Sequence, residues 1–135
     1  MSVAPSTIAL SGRPTGATGA PRTLLHLEGA GLLAVATAVY ALLGGSWGLY
    51  AALFLLPDLS MVGYLVNSRV GAALYNAAHT TLGPLAVALG GTLTGAPLAV
   101  PIALVWAAHI GFDRMFGYGL KYRSGFTHTH LSGMA

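Results

Sequence analysis

Residues 97–116 have the sequence PLAVPIALVWAAHIGFDRMF. The stretch is close to the ~20 mostly apolar residues that a helix needs to cross the hydrocarbon core of a bilayer. It nevertheless contains His109 and Asp113, which are four positions apart and therefore share one face of a helix. Ionisable groups in hydrocarbon cost several kcal/mol unless they are paired, hydrated or bound to a metal. The stretch therefore predicts a membrane helix that carries a functional site.

Three further apolar stretches precede this one, at about residues 24–43, 47–66 and 70–89, with short turn-forming separators between them. The chain is 55% hydrophobic and only 7% charged, whereas a soluble domain is about 25% charged. Short connections make neighbouring helices antiparallel. The sequence thus predicts an all-α polytopic membrane protein: a four-helix up-down-up-down transmembrane bundle over residues 23–120. A flexible N-terminal tail (1–22) and a C-terminal tail (121–135) flank it.

The basic residues predict the orientation of this bundle. All six precede the first helix, lie between the second and third, or lie at or after the end of the fourth: Arg13, Arg22, Arg69, Arg114, Lys121 and Arg123. With four spans these positions fall on one side, and the positive-inside rule makes that side cytoplasmic. We expect a multi-pass protein of the cell inner membrane with both termini in the cytoplasm. Six scattered basic residues form no patch, so nucleic-acid binding is not expected.

The polar groups of the predicted helices gather in the cytoplasmic half of the membrane. Asp58 is on the second helix and His79 on the third, while His109 and Asp113 are on the fourth. The chain has no cysteine, and imidazoles and carboxylates are then the usual ligands of zinc, iron or manganese. These four residues are the predicted ligands of one divalent metal. The remaining carboxylate, Glu28, is the candidate general base.

Each of these residues also has a structural interpretation. Glu28 could reach the lipid headgroups, and Asp113 could pair with the adjacent Arg114. Asp58 follows Pro57 and could accept hydrogen bonds from backbone amides at a helix break. His79 could hydrogen-bond a neighbouring helix.

Three prolines lie within the predicted helices. Pro57, Pro84 and Pro101 are predicted to kink or open helices two, three and four.

The C-terminal segment differs from the apolar stretches. Residues 121–131 are too polar to span a membrane but keep aromatic and leucine anchors. They are either a solvated tail or a segment that folds back over the cytoplasmic mouth and brings His128 and His130 to the site.

Several sequence blocks resemble the domain-of-unknown-function family 4260, over about residues 23–131. The blocks, in chain order, are His26-Leu27-Glu28-Gly29, Leu56-Pro57-Asp58-Leu59-Ser60-Met61, Tyr75-Asn76-Ala77-Ala78-His79-Thr80, His109-Ile110-Gly111-Phe112-Asp113-Arg114 and Gly117-Tyr118-Gly119-Leu120-Lys121-Tyr122. The family consists of small bacterial integral membrane proteins with no assigned activity. The resemblance therefore implies an architecture and leaves the reaction open.

The chain is more loosely similar to membrane-bound metal-dependent hydrolases of the inner-membrane, LexA-regulated type. Pro57-Asp58, His79-Thr80 and His109-x-x-x-Asp113 follow the order of that pattern. The chain lacks the second Asp and the His that usually follow the position of Asp58, and Asn76 stands where the pattern has another His. The similarity implies hydrolysis, but these departures do not support a complete two-metal site.

Two classes of function follow from the sequence. The first is a metal-dependent hydrolase that acts on a lipid or another amphiphile. The second is a non-enzymatic membrane protein, either a small transporter or proton-handling subunit or an interaction partner, in which the polar groups bridge helices. Membrane lipids are the expected partners in both cases, and a transporter with so few helices implies a homodimer.

Overall fold

A computed structural model describes residues 16–131 of the chain, and the regular structure in this range is helical. Its elements are α1 (Gly19–Leu42), α2 (Trp47–Phe54), a 3₁₀ helix (Leu56–Leu65), α3 (Ser68–His79), α4 (Leu82–Thr94) and α5 (Ala99–Met115). The β pairing in the described range is one isolated antiparallel bridge between Lys121 and Thr129. The predicted all-α class is confirmed.

The helices follow the four apolar stretches with one clear difference. Two helical segments are long and apolar enough to cross a membrane, namely α1 and the continuous stretch Trp47–Leu65. The third stretch, predicted as one helix over 70–89, is instead divided into α3 and α4. In addition, α1 begins at Gly19, inside the predicted N-terminal tail, and most of that tail lies outside the described residues.

Proline chemistry accounts for the division of the third stretch. Pro84 has no amide hydrogen, and in a continuous helix its ring would clash with the carbonyl of Thr80, four residues earlier. The helix stops at His79 and Thr80 is extended, with ψ of 141°. Pro57 acts similarly, because the chain changes there from α-helix to 3₁₀ helix. Pro101 lies in the first turn of α5, where a proline is tolerated.

Helix α5 satisfies the carbonyl groups that the break leaves without intrahelical donors. The indole Nε1 of Trp106 donates to the carbonyl of Ala78 at 2.6 Å. The guanidinium of Arg114 donates to the carbonyl of His79 at 3.4 Å. Buried carbonyl groups without a donor are costly, so these donors hold the end of α3 against α5.

A close approach of two backbones joins α1 to α5. Both Gly29 and Gly111 are buried. A Cβ on Gly29 would lie 2.8 Å from the Gly111 carbonyl oxygen, and one on Gly111 would lie 2.6 Å from the amide nitrogen of Leu33. Small residues of this kind allow membrane helices to pack at short range.

The C-terminal segment, residues 117–131, folds back onto the helices. The side chain of Asn76 on α3 exchanges two hydrogen bonds with the backbone of Lys121, at 2.7 and 2.8 Å. The ring of Phe126 packs edge-on against Tyr64 of the 3₁₀ helix. The amide of Ala17 donates to the carbonyl of His130, so the segment also meets the start of α1. Of the two alternatives for residues 121–131, the structure shows the folded one.

The glycine contact gives a prediction about stability. Gly29→Ala should destabilise the protein by about 1–3 kcal/mol, because the added methyl group would overlap the backbone of α5. The measurement is the thermal unfolding midpoint of the purified protein in detergent.

Gly31→Ala is the matched control on the same helix, because a Cβ at Gly31 meets nothing within 4 Å. Its unfolding midpoint should stay the same or rise slightly, since alanine favours a helix over glycine by up to ~1 kcal/mol. An equal loss of stability in both variants would show that α1 does not pack on α5 through Gly29.

Candidate metal centre

Four side chains from three parts of the chain meet in the interior of the helix assembly. Asp58 lies in the first turn of the 3₁₀ helix, directly after Pro57. His79 is the last residue of α3, where the helix breaks. His109 and Asp113 lie one turn apart on α5. These are the four metal ligands predicted from the sequence, and one potential ligand atom of each lies within 4.8 Å of the others.

The distances within this His/Asp cluster are short. The Nε2 atoms of His79 and His109 are 3.1 Å apart. Oδ1 of Asp58 lies 3.6 Å from Nε2 of His79 and 3.5 Å from Nε2 of His109. Oδ2 of Asp113 lies 3.4 Å and 3.8 Å from the same two nitrogens.

Five of the six separations between the four ligand atoms are close to the edges of a tetrahedral site, and the sixth, between the two carboxylates, is at most 4.8 Å. Zinc binds histidine nitrogen and carboxylate oxygen at about 2.0–2.2 Å, which for a regular tetrahedron gives ligand separations of about 3.3–3.6 Å. The five nitrogen–nitrogen and nitrogen–oxygen distances scatter around these values, between 3.1 and 3.8 Å. The two imidazoles and two carboxylates could therefore hold one metal ion.

His79 is oriented for ligation by its other ring nitrogen. Nδ1 lies 2.8 Å from the carbonyl oxygen of Tyr75, one turn earlier on α3. A carbonyl only accepts hydrogen bonds, so Nδ1 carries the proton and Nε2 presents a lone pair to the cluster. The ring also stacks on that of Tyr75, with centroids 3.7 Å apart and planes 9° apart. A fixed tautomer and a fixed ring plane are typical of metal-binding histidines.

Asp113 and His109 differ in their outer partners. The hydroxyl of Tyr75 donates to Oδ2 of Asp113 at 3.0 Å, so one tyrosine supports two members of the cluster. Nδ1 of His109 is buried and has no hydrogen-bond partner among the described residues. The ring of His109 is held by an edge-on contact with Phe54, with centroids 5.2 Å apart.

The cluster is closed on three sides and open at Asp58. The side chains of His79 and His109 are 3% and 2% exposed, and that of Asp113 is 14% exposed. The side chain of Asp58 is 39% exposed. Asp58 is therefore the side from which we expect a small molecule to approach the cluster.

The other residues singled out from the sequence lie elsewhere. Glu28 is exposed on α1 and does not belong to the group of four. His128 bonds to the hydroxyl of Ser124, and His130 accepts a hydrogen bond from the amide of Leu120. The C-terminal segment thus folds back without bringing either histidine into the cluster. The role of Glu28 as a general base stays a prediction.

Sequence reasoning assigned no supporting role to Tyr75, which shares a helix face with His79, and did not expect Lys121 to be buried. Tyr75 lies four positions before His79, and that spacing was the available signal. The Lys121 ammonium lies 4.6 Å from the centroid of the Tyr75 ring and donates to the carbonyl of Phe126. Burial lowers the pKa of Lys121, and the nearby carboxylate of Asp113 opposes this shift.

The fold and the cluster define an all-α protein with apolar helices and a buried His/Asp group that could hold a metal. The chain belongs to the family described as domain of unknown function DUF4260, whose family model matches residues 22–134. This confirms the resemblance recognised in the sequence. No curated protein and no solved structure gives a significant match. The looser similarity to metal-dependent hydrolases therefore has no support from these comparisons.

The hydrogen bond from Tyr75 to Asp113 gives a prediction about metal affinity. Tyr75→Phe keeps the ring that stacks on His79 but removes the hydroxyl. Loss of an outer-shell hydrogen bond typically weakens metal binding by ~10–100-fold, and we expect a change of that size. The measurement is zinc competition against a chelator of known affinity. Tyr118→Phe, at an exposed ring, should bind as the wild type does; equal affinities in all three proteins would contradict the prediction.

His130 gives a prediction about pH. Burial and the nearby Arg114 lower the pKa of His130 below the ordinary value of 6.5. The unfolded segment therefore takes up a proton near pH 6.5 while the docked segment resists it. Docking should be complete above pH 6.5 and weaken as the pH falls below it. Hydrogen–deuterium exchange of residues 117–131, corrected for the intrinsic rate, should show less protection at pH 5 than at pH 7.5.

His130→Asn is the control for this experiment, because asparagine keeps a hydrogen-bond acceptor but does not titrate. Its protection should change little between the two pH values. A pH dependence that persists in the variant would assign the effect to another group.

Proposed function

We propose that the chain is a multi-pass inner-membrane protein that uses one divalent metal to hydrolyse an amphiphile. The reaction would take place in the cytoplasmic half of the membrane. The metal ligands are Asp58, His79, His109 and Asp113. The observation that carries the proposal is the set of ligand-atom separations, between 3.1 and 3.8 Å. Zinc, manganese and iron all accept this combination of imidazole and carboxylate ligands.

Exposed apolar side chains support the membrane setting. Among the described residues they occur on every helical element, with Leu42, Leu65 and Leu93 each more than three-quarters exposed. Exposed large apolar side chains on every element suit a lipid environment, because a soluble monomer rarely exposes large apolar patches. The hydrogen bond between Ala17 and His130 brings the start of α1 and the C-terminal segment to the same end of the molecule. This supports an even number of crossings, and the positive-inside rule is the argument for placing that end in the cytoplasm.

The residues of the site divide the work of hydrolysis. A divalent metal supplies Lewis acidity and lowers the pKa of a water molecule towards neutrality. Tyr75 holds Asp113 and His79 in place, and the open side of Asp58 admits the scissile bond. Glu28, on the exposed face of α1, is the proposed general base. The water adds across an ester or phosphoester bond and yields an acid and an alcohol.

One observation favours a second function without a metal. With Nδ1 of His79 protonated, Nε2 of His109 can donate a hydrogen bond to Nε2 of His79 across 3.1 Å. The cluster would then bridge α3 and α5 or pass protons between carboxylates. In that arrangement both carboxylates lie 3.4–3.6 Å from the lone pair of His79, an unfavourable approach that either a metal ion or a proton on Nε2 relieves. We rank the metal site first because one ligand atom from each of four residues converges there.

The decisive experiment is elemental analysis of the detergent-purified protein. We expect close to one zinc, manganese or iron per wild-type chain and none in the His79→Ala, Asp113→Ala double variant. His128→Ala is the matched control, because His128 lies outside the cluster, and it should keep its metal. No metal in the wild type after controlled reloading would exclude the metal-dependent reaction.

Asp113→Asn separates the two functions. An enzyme should keep its fold and lose metal and hydrolysis, whereas a helix-bridging network should lose thermal stability instead. Glu28→Gln tests the base and should keep the metal while losing hydrolysis of a lipid ester. Unchanged hydrolysis in Glu28→Gln would reject that residue as the base.

A further inference from the structure

An apolar cleft of about 830 Å³ runs along the molecule between α1 and α2. Its floor is a row of small residues on one face of α1, from Ala30 through Ala34 and Ala38 to Ala41. The eleven steps from Ala30 to Ala41 cover about 16 Å at 1.5 Å per residue. The cleft is therefore an elongated and largely open groove, and it lies within two segments that are apolar enough to cross a membrane.

Aromatic side chains of α2 form the opposite wall of the cleft. Trp47, Tyr50 and Phe54 follow one another along this wall. The hydroxyl of Tyr50 is hydrogen-bonded to that of Thr37 on α1 at 2.7 Å, so one hydroxyl donates to the other and the bond joins the two walls of the cleft. The lining thus offers an occupant almost only apolar contact, which suits a hydrocarbon chain.

The two ends of the cleft differ in their surroundings. Trp47 lies at the end next to the connection between α1 and α2. Phe54 lies at the other end, and its ring contacts the rings of His109 and Phe112. Asp58, the exposed member of the His/Asp cluster, follows one turn later. The cleft therefore ends at Phe54 and Leu55, next to the His/Asp cluster but not lined by any of its four residues.

We propose that the cleft binds the acyl chain of an amphiphile, with its polar group at the His/Asp cluster and its terminal methyl group near Trp47. The inference rests on the proposed function, because it names the class of substrate that this site receives. A chain that begins with a polar group fits both ends of the cleft. A second copy of the protein would fill the apolar part but would bring no polar group to Asp58.

The test uses Trp47 as a reporter of an added fatty acid. Palmitic acid brominated near its methyl end should quench the fluorescence of the zinc-loaded protein in detergent, and the quenching should saturate. The isomer brominated near the carboxyl group should quench less, since its bromine would lie near Phe54. The Trp47→Phe variant, in which only Trp106 remains, gives the background. Equal quenching by both isomers, or quenching that does not saturate, would overturn the orientation or the site.

Variants that fill the cleft test whether the fatty acid binds there. Ala34→Phe and Ala38→Phe place bulk in the floor and should remove the saturable quenching while leaving the metal content unchanged. Val39→Phe is the matched control, because Val39 is an exposed residue of α1 that does not line the cleft. It should bind as the wild type does. Binding that survives in the filled variants would reject the cleft.

The same proteins show whether a negative result rejects the acyl-chain site or the proposed metal-dependent function. A wild type that contains metal but shows no saturable quenching would reject the cleft and leave the metal site standing. A wild type without metal that still binds the fatty acid would reject the proposed function alone. A dimer that becomes a monomer in Ala34→Phe, measured by light scattering, would show that a second copy occupies the cleft and would overturn the inference.

Discussion

The hydrogen bond from the indole of Trp106 to the carbonyl of Ala78 is the interaction on which the site depends most directly. A helix that ends among apolar segments leaves carbonyls that water cannot satisfy. Trp106 supplies one donor from α5, and Arg114 supplies another to the carbonyl of His79. The broken end of α3 is therefore held against α5, and His79 at that end is brought 3.1 Å from His109. In a continuous third helix these carbonyls would accept hydrogen bonds within the helix and would not need donors from α5.

Much of this arrangement could be predicted from sequence, because it follows from residue types. Apolar stretches predict helices, and the 109/113 spacing predicts a shared face. Pro84 predicts a disturbance of the third helix, since a proline in the interior of a helix removes one hydrogen bond. The four ligands Asp58, His79, His109 and Asp113 could be chosen because ionisable residues are so rare in the chain. These inferences needed only local chemistry.

The features that sequence could not predict are those that depend on distant partners. Whether Pro84 kinks or divides a helix depends on donors such as Trp106, which come from another element. The close approach of Gly29 and Gly111 is visible only when both backbones are placed, since glycines occur throughout this chain. The docking of the C-terminal segment depends on Asn76, whose amide is used by the backbone of Lys121 forty-five positions later. The sequence of a polar segment after the last helix is equally compatible with a docked segment and with a solvated tail.

Two consecutive residues of α3 connect the C-terminal segment to the cluster. Tyr75 donates to the carboxylate of Asp113 and stacks on His79, while Asn76 binds the backbone of Lys121. The Lys121 ammonium in turn lies over the ring of Tyr75. A rigid helical turn therefore carries both sets of contacts, and a shift of α3 that loosened one set would displace the other. The segment that folds back over the helices and the polar group inside them are thus parts of one structural unit, although neither His128 nor His130 enters the cluster.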